Sequence, residues 1–396
     1  MTDKILKTSK VPNLRFPGFE RSWSKQKLGE VCEINPKNSN LPNSFIYIDL
    51  ESVSGGILLK EDRIFKKDAP SRAQRLLERE DILFQTVRPY QMNNLYFDKE
   101  GVYVASTGYA QLRTEQNPKF VFQYLHYHKF VNAVLEKCTG TSYPAINSTD
   151  LSNIKISFPC LEEQTKISSF LYLIDRRINT QNEIIKKYES LIKGIAEKLF
   201  IQQLRFKRAE ENGFKKWENK FGNEVFESIS NKKHNSDLPI LAITQEHGAI
   251  PRDLIDYNIA VTDKSIDNYK VIDVGDFVIS LRSFQGGIEY SEYKGICSPA
   301  YIILRPFIPI NDLFFKYYFK TDKYITNLNR KLEGIRDGKM ISYKYFSEIK
   351  IPLPSLEEQL IIASFLSIIE EKIKIEKSIL KHLINQKKYL MQELFI

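Results

Sequence analysis

The segment Gln85-Thr-Val-Arg-Pro-Tyr-Gln-Met-Asn-Asn94 follows the apolar run Ile82-Leu-Phe84 and offers amides, a hydroxyl and a guanidinium through Gln85, Thr86, Arg88, Tyr90 and Asn93. Two more polar loops, Ser106 to Tyr109 and Thr139 to Asn147, add Thr107, Tyr109, Thr141, Ser142, Tyr143 and Asn147. A second set lies far along the chain: Ser280 to Gly287 with Arg282, Ser283 and Gln285, then Ser298 to Tyr301, then Gly334 to Met340 with Arg336 and Lys339. Arginine and side-chain amides hydrogen-bond base edges, while hydroxyls, lysines and backbone N–H groups hold phosphates. Any one of these loops could be an ordinary solvated turn. Taken together they occupy matching places in two halves of the chain with different residues, which suits two modules that read different things.

Catalytic patterns are missing. The only Gly-Lys pair, Gly338-Lys339, is followed by Met340, so no phosphate-binding loop of the Gly-x-x-x-x-Gly-Lys-Ser/Thr kind exists. There is no Gly-x-Ser-x-Gly and no His-Glu-x-x-His, and Asn35-Pro-Lys37 is not the Asn/Asp-Pro-Pro-aromatic motif of an amino-methyltransferase. The histidines, at 126, 128, 234, 247 and 382, are dispersed, and His126 and His128 are expected on a helix surface. Cys32, Cys138, Cys160 and Cys297 form no Cys-x-x-Cys pair, so neither a disulfide framework nor a zinc site is expected. Neither a catalytic residue nor a metal site is assigned.

What positions the loops is a duplication. At 396 residues the chain is too long for one compact core. Ser152-Asn-Ile-Lys-Ile-Ser-Phe-Pro-Cys-Leu-Glu-Glu-Gln164 returns as Ser347-Glu-Ile-Lys-Ile-Pro-Leu-Pro-Ser-Leu-Glu-Glu-Gln359, and residues 152–178 match their counterparts at 15 of 27 positions. Asp81-Ile-Leu-Phe84 matches Asp276-Phe-Val-Ile279, and Leu199-Phe-Ile201 matches Leu394-Phe-Ile396. A unit of this size is a tandem duplication and not a solenoid, whose repeats are far shorter.

Each repeat has two unlike parts. Residues 1–158 and 206–353 are rich in short β-branched and aromatic runs, such as Phe45-Ile-Tyr-Ile48 and Tyr301-Ile-Ile-Leu304, and read as mixed α/β (α+β), strand-rich domains. Residues 159–205 and 354–396 are helical, with the Leu-Glu-Glu-Gln carboxylates favouring the positive end of the helix dipole. Leu171, Ile174, Ile178, Gln181, Ile185, Tyr188, Ile192, Ile195 and Leu199 follow alternating spacings of three and four, as do Leu366, Ile369, Ile373, Glu376, Leu380, Leu383, Lys387, Leu390 and Leu394. Gln181 and Glu376 interrupt the two seams at equivalent positions. Forty residues of helix extend about 60 Å, too long for a small domain to cover alone, so the two helices are expected to pair antiparallel. The formal charge of +9 favours a polyanion as partner. No apolar run reaches the roughly 18–20 residues of a membrane span and Met1-Thr-Asp-Lys4 has no secretory character, so a cytoplasmic location is expected.

These features resemble the specificity (S) subunit of type I restriction-modification systems over essentially the whole chain. The resemblance is carried by Leu14-Arg-Phe-Pro-Gly-Phe19 with Trp23 and Leu28-Gly-Glu-Val31, Gly140-Thr-Ser-Tyr-Pro-Ala-Ile-Asn147, both Ile-Lys-Ile-x-x-Pro-x-Leu-Glu-Glu-Gln segments, and Lys193 to Phe206. One departure is that Arg205-Phe206 continues as Lys-Arg-Ala-Glu-Glu-Asn-Gly-Phe214 in place of a copy of Phe16-Pro-Gly-Phe19. The resemblance implies two target recognition domains, each reading half of a bipartite stretch of double-stranded DNA. It implies helices that dock two modification (M) subunits, which bind S-adenosylmethionine and methylate adenine. Restriction (R) subunits would supply ATP- and Mg-dependent translocation and cleavage, leaving no cofactor in this chain. Two other classes stay open at this point: an enzyme with an unrecognised site, and a two-module DNA-binding regulator or architectural protein without enzyme partners.

Overall fold

The computed structural model describes residues 11–38, 40–207, 214–234, 237–255, 266–330 and 341–396. Two compact units emerge, Met1–Asn182 with Ser378–Ile396, and Glu183–Lys377. Their limits fall inside the long helices, because each strand-rich module shares its core with parts of both helices.

In the first unit the module is closed by its own ends, Ser24–Lys27 pairing antiparallel with Lys155–Phe158. One four-stranded sheet orders Arg63–Phe65, Ser44–Ile48, Tyr103–Ser106 and Ala73–Leu76. The other orders Cys32–Ile34, Tyr109–Thr114, Ile82–Gln85 and Leu95–Tyr96, all antiparallel. Ile82, Leu83, Phe84 and Gln85 are all buried, as a strand covered on both faces requires. Asp81, immediately before it, is buried as an ion-pair anchor: its carboxylate accepts from Arg113 Nε and Nη2 at 2.9 Å each and from Gln111 Nε2 at 2.7 Å.

The second unit repeats this plan. Glu218–Phe221 pairs with Lys350–Leu353, and the main sheet orders Phe226–Ile229, Ile302–Pro306, Phe277–Ile279 and Glu289–Tyr290. Asp276 plays the part of Asp81, accepting from Arg305 Nε and Nη2 at 2.7 Å each. The Asp-initiated match in the sequence is therefore a duplicated buried carboxylate–guanidinium pair.

Helix α1 (Pro118–Tyr124) and helix α2 (Leu161–Phe200) serve the first module, and helices α3 (Asp312–Tyr318) and α4 (Leu356–Leu394) the second. Trp23 meets Phe120 of α1 edge to face at 5.9 Å, and Trp217 meets Phe314 of α3 at 5.9 Å. The Leu-Glu-Glu-Gln segments do more than sit at a dipole end. Gln164 Oε1 accepts from the backbone of Asn117, the cap of α1, at 3.1 Å, and Gln359 does the same for Asn311 at 2.8 Å. Glu163 is buried against Arg15 at 2.7 Å, and Glu358 against Arg205 at 2.8 Å. Phe16 packs on Phe170 at 5.8 Å and Phe206 on Phe365 at 5.5 Å. Arg205-Phe206 thus repeats Arg15-Phe16 in space, although the sequence diverges directly after it.

Within the first unit the early part of α2 packs with the late part of α4. Asp175 and Lys387 pair at 2.6 Å, and Ile167, Leu171 and Ile174 share a core with Met391 and Leu394. Within the second unit the late part of α2 meets the early part of α4: Glu189 pairs with Lys377 at 2.7 Å, and Leu199 shares a core with Ile362 and Leu366. Both junctions run antiparallel. The seam residues are buried or half-buried along both helices, and Gln181 and Glu376 are buried within them.

Candidate nucleic-acid interface

Three loops remote in sequence meet at one edge of the first module. The backbone of Arg88 donates to Pro144 O at 2.7 Å, and that of Ile146 to Thr86 O at 3.0 Å. Thr86 donates to Gly108 O through both its amide (3.0 Å) and its hydroxyl (2.8 Å). Arg88 holds a left-handed backbone at φ 54°, and its guanidinium lies 4.2 Å from the centroid of the Tyr143 ring. A stacked guanidinium keeps its in-plane donors free for a base edge or a phosphate. Tyr143 is 63% exposed and Tyr90 48%. Thr141, Ser142 and Asn147 are exposed beside them, although Asn147 also caps the short helix Ser148–Ser152 by accepting from Asp150 N at 2.8 Å.

Other residues of the expected set are spent on building the loop. Gln85 is buried; its Nε2 donates to Val87 O at 2.7 Å and its Oε1 accepts from Asn93 N at 3.1 Å. Asn93 Oδ1 accepts from Gly55 N at 3.2 Å, which ties in the tip of the hairpin Val53–Ser54/Ile57–Leu58. Thr86 is buried, Thr107 half-buried, and Tyr109 fully buried with its hydroxyl pKa raised by burial. His126 is not the surface residue expected: it is half-buried and hydrogen-bonded to Phe122 O at 2.8 Å, with burial pushing its pKa down to about 4. His128 is exposed as expected.

In the second module Arg282 and Gln285 are exposed around the short helix Ser283–Gly286. Ser283 is buried, its Oγ accepting from Ser280 N at 2.9 Å. Tyr301 is half-buried and its carbonyl accepts from Lys270 Nζ at 2.7 Å. Burial raises the Tyr301 hydroxyl pKa, while the nearby charges of Arg252 and Arg282 oppose that shift. Arg336 and Lys339 lie outside the described residues.

Sequence reasoning missed the hairpin Leu241–Thr244/Gly248–Pro251, whose exposed tip carries Gln245, Glu246 and His247. Gln245 Nε2 donates to Arg282 O at 3.1 Å, which brings this tip to the arginine loop. The signal was present as a polar triplet and a glycine between two apolar runs; Gly248 takes φ 66°, as a tight turn demands. Arg252, next to the same hairpin, was missed as well.

Nothing in this arrangement is an assembled reaction centre. Among the described residues no group of three His, Cys, Asp or Glu side chains could hold a metal. Burial pushes the Cys32 and Cys297 thiols up to about 12, far from a reactive thiolate. No helix among the described residues is long and apolar enough to cross a membrane.

The family model for the type I restriction modification DNA specificity domain matches twice, over residues 20–190 and 215–385. The chain belongs to the family of type I specificity subunits. The type I restriction enzyme MjaX specificity subunit of Methanocaldococcus jannaschii is 31% identical over 265 residues, spanning 62% of this chain and 60% of that relative. The MjaVIII specificity subunit of the same organism is 28% identical over 410 residues, spanning 96% of this chain and 92% of the relative. The fold is shared with a chain solved in a study of type I R-M complex assembly (TM-score 0.56, 23% identity, 96% and 99% of the two chains). It is shared too with an S subunit from M. genitalium (TM-score 0.56, 17% identity, 98% and 99%). A specificity subunit recognises a DNA target and is not itself the catalyst. The reading as a lone regulator or architectural protein is not favoured.

Proposed function

We propose that this specificity subunit reads a bipartite, asymmetric site in double-stranded DNA, one half per module, and directs adenine methylation and restriction by partner subunits. The observation that carries this is one frame used twice with different readers: Arg88 stacked on Tyr143 in the first module, Arg282 beside Gln245 in the second. Similar frames fix equivalent placements on DNA, and unlike side chains at the tip select unlike bases.

The partners are two modification subunits, joined by restriction subunits in the full complex. S-adenosylmethionine, ATP and Mg belong to those partners, and the assembly works in the cytoplasm. Support for two equal docking sites comes from apolar side chains left exposed at equivalent helix positions: Leu161 and Leu356 (53% and 49%), and Leu173 and Ile368 (57% and 70%). Matched exposed apolar side chains on the two helices suit a pair of like contacts, one per repeat. Methylome sequencing of cells that express the chain with its modification partner tests the reading. The expected result is a two-part motif with unlike halves and a constant unread spacer; one continuous motif or two identical halves overturns it.

A further inference from the structure

We propose that His126 and Lys320 are positioning residues for the two recognition loops, each fixing its loop from the turn that follows the helix anchored on the long helices. The inference rests on the reading of those loops as the DNA-contacting surface. His126 lies two residues beyond the end of α1 and Lys320 two beyond the end of α3.

In the first unit His126 Nδ1 faces Phe122 O at 2.8 Å, so it carries the proton and Nε2 is the acceptor. Asn94 Nδ2 donates to that Nε2 at 3.4 Å. Asn94 is buried, and its Oδ1 accepts from Gln85 N at 2.9 Å. Gln85 Nε2 in turn donates to Gln91 Oε1 at 2.9 Å. The two ends of the loop that carries Arg88 are thus joined through Asn94, and the imidazole holds the other end of that amide. Arg88 and Met92 both take positive φ, so this loop needs such external hold. The groups facing the ring are Lys387 and Asp175, whose effects oppose each other, and burial keeps it neutral.

In the second unit Lys320 does the same work with different chemistry. Its Nζ donates to Gly286 O at 2.9 Å and pairs with the buried Glu289 at 2.6 Å, at the end of the loop that carries Arg282. The loop also rests on the same turn: a Cβ at Gly287 would clash with the carbonyl oxygen of Phe319. Each helix is meanwhile fixed to a long helix, Gln123 donating to Asp175 at 2.6 Å and Tyr317 to Glu370 at 2.7 Å. Two units that differ in almost every polar residue here keep the same mechanical link.

The test uses the chain assembled with its modification partner and measures methylation across single-base variants of each half-site. His126→Phe is expected to reduce base discrimination about three- to tenfold, the worth of one net hydrogen bond, in the first module's half-site only. Lys320→Met is expected to do so in the other half-site only, with Lys320→Arg restoring it. A uniform loss over both half-sites, or a lowered melting temperature with unchanged discrimination, overturns the proposal in favour of a purely structural role. The double variant Arg88→Ala/Tyr143→Ala separates the two levels. If it leaves the first half-site unchanged, the reading of the loop falls and this proposal with it. If it alters that half-site while His126→Phe does not, the positioning role alone is overturned.

Discussion

The amide of Leu14 donates to the carbonyl of Glu393 at 2.9 Å, and the amide of Leu204 donates to the carbonyl of Lys198 at 3.0 Å. One joint links two distant segments and the other links near neighbours, yet both close the same corner of a unit. The aromatic packing agrees. Phe395 meets Phe120 at 5.5 Å and Tyr124 at 5.2 Å, where Phe200 meets Phe314 at 5.1 Å and Tyr318 at 5.4 Å.

Phe395→Ala is therefore expected to destabilise the first unit by about 3–5 kcal/mol, the usual cost of emptying a core phenylalanine site. Phe200→Ala should cost the second unit a similar amount. Urea unfolding with a probe in each unit checks this; equal losses in both probes for either variant would contradict it.

The buried pair of Arg15 and Glu163 predicts a second loss. Arg15→Leu leaves a carboxylate with 1% of its surface exposed and no guanidinium beside it. Removing one member of a buried pair costs about 3–5 kcal/mol, and the partial exposure of Arg15 brings the expectation to about 2–3 kcal/mol. Arg15→Leu combined with Glu163→Leu should recover part of that, as a double-mutant cycle in chemical denaturation will report.

Arg88→Ala should relax recognition of one half-site and Arg282→Ala of the other, each by roughly 1–3 kcal/mol of discrimination. Competition binding against a panel of single-base variants is the measurement. A loss spread evenly over the panel would assign the arginine to a phosphate.

Docking can be checked one site at a time. Leu173→Asp should remove one modification subunit and Ile368→Asp the other, read by native mass spectrometry of the assembled complex. Retention of both subunits by either variant would show that the exposed apolar pair is not the contact.

Acid should charge the half-buried imidazole of His126. His126 has its folded pKa pushed down to about 4, below its ordinary value, so it stays neutral in the fold and takes up a proton on unfolding. The stability it contributes is present above about 6.5, the unfolded value, and is lost as pH falls toward 4. The difference in unfolding free energy between the wild type and His126→Phe should therefore change across that window and be flat above it.

The architecture was legible because it was written twice. Asp81 and Asp276, the two Leu-Glu-Glu-Gln segments and the spaced apolar residues of α2 and α4 all keep their spacing, and core packing holds spacing strictly. The candidate loops were legible only as segments. Gln85 and Arg88 look equally able to face DNA in a string of letters, yet the first ends a strand buried on both faces and turns inward. His126 was misplaced for the same reason, since a polar residue after a helix does not announce which neighbour will enclose it. The hairpin tip at Gln245 went unread because its relation to Arg282 is a tertiary contact between segments far apart in sequence.

The first module is completed by Met391, Leu394 and Phe395, while the second draws its whole core from a continuous stretch of chain. On a ribosome the order of emergence and the order of completion then differ. Residues of the first module leave the exit tunnel early but wait for all of Glu183–Lys377 to be made before their last core side chains arrive. The half translated first is thus the last to have its full core available, and until then Phe120, Tyr124 and Tyr127 lack the Phe395 ring that packs on them in the finished unit.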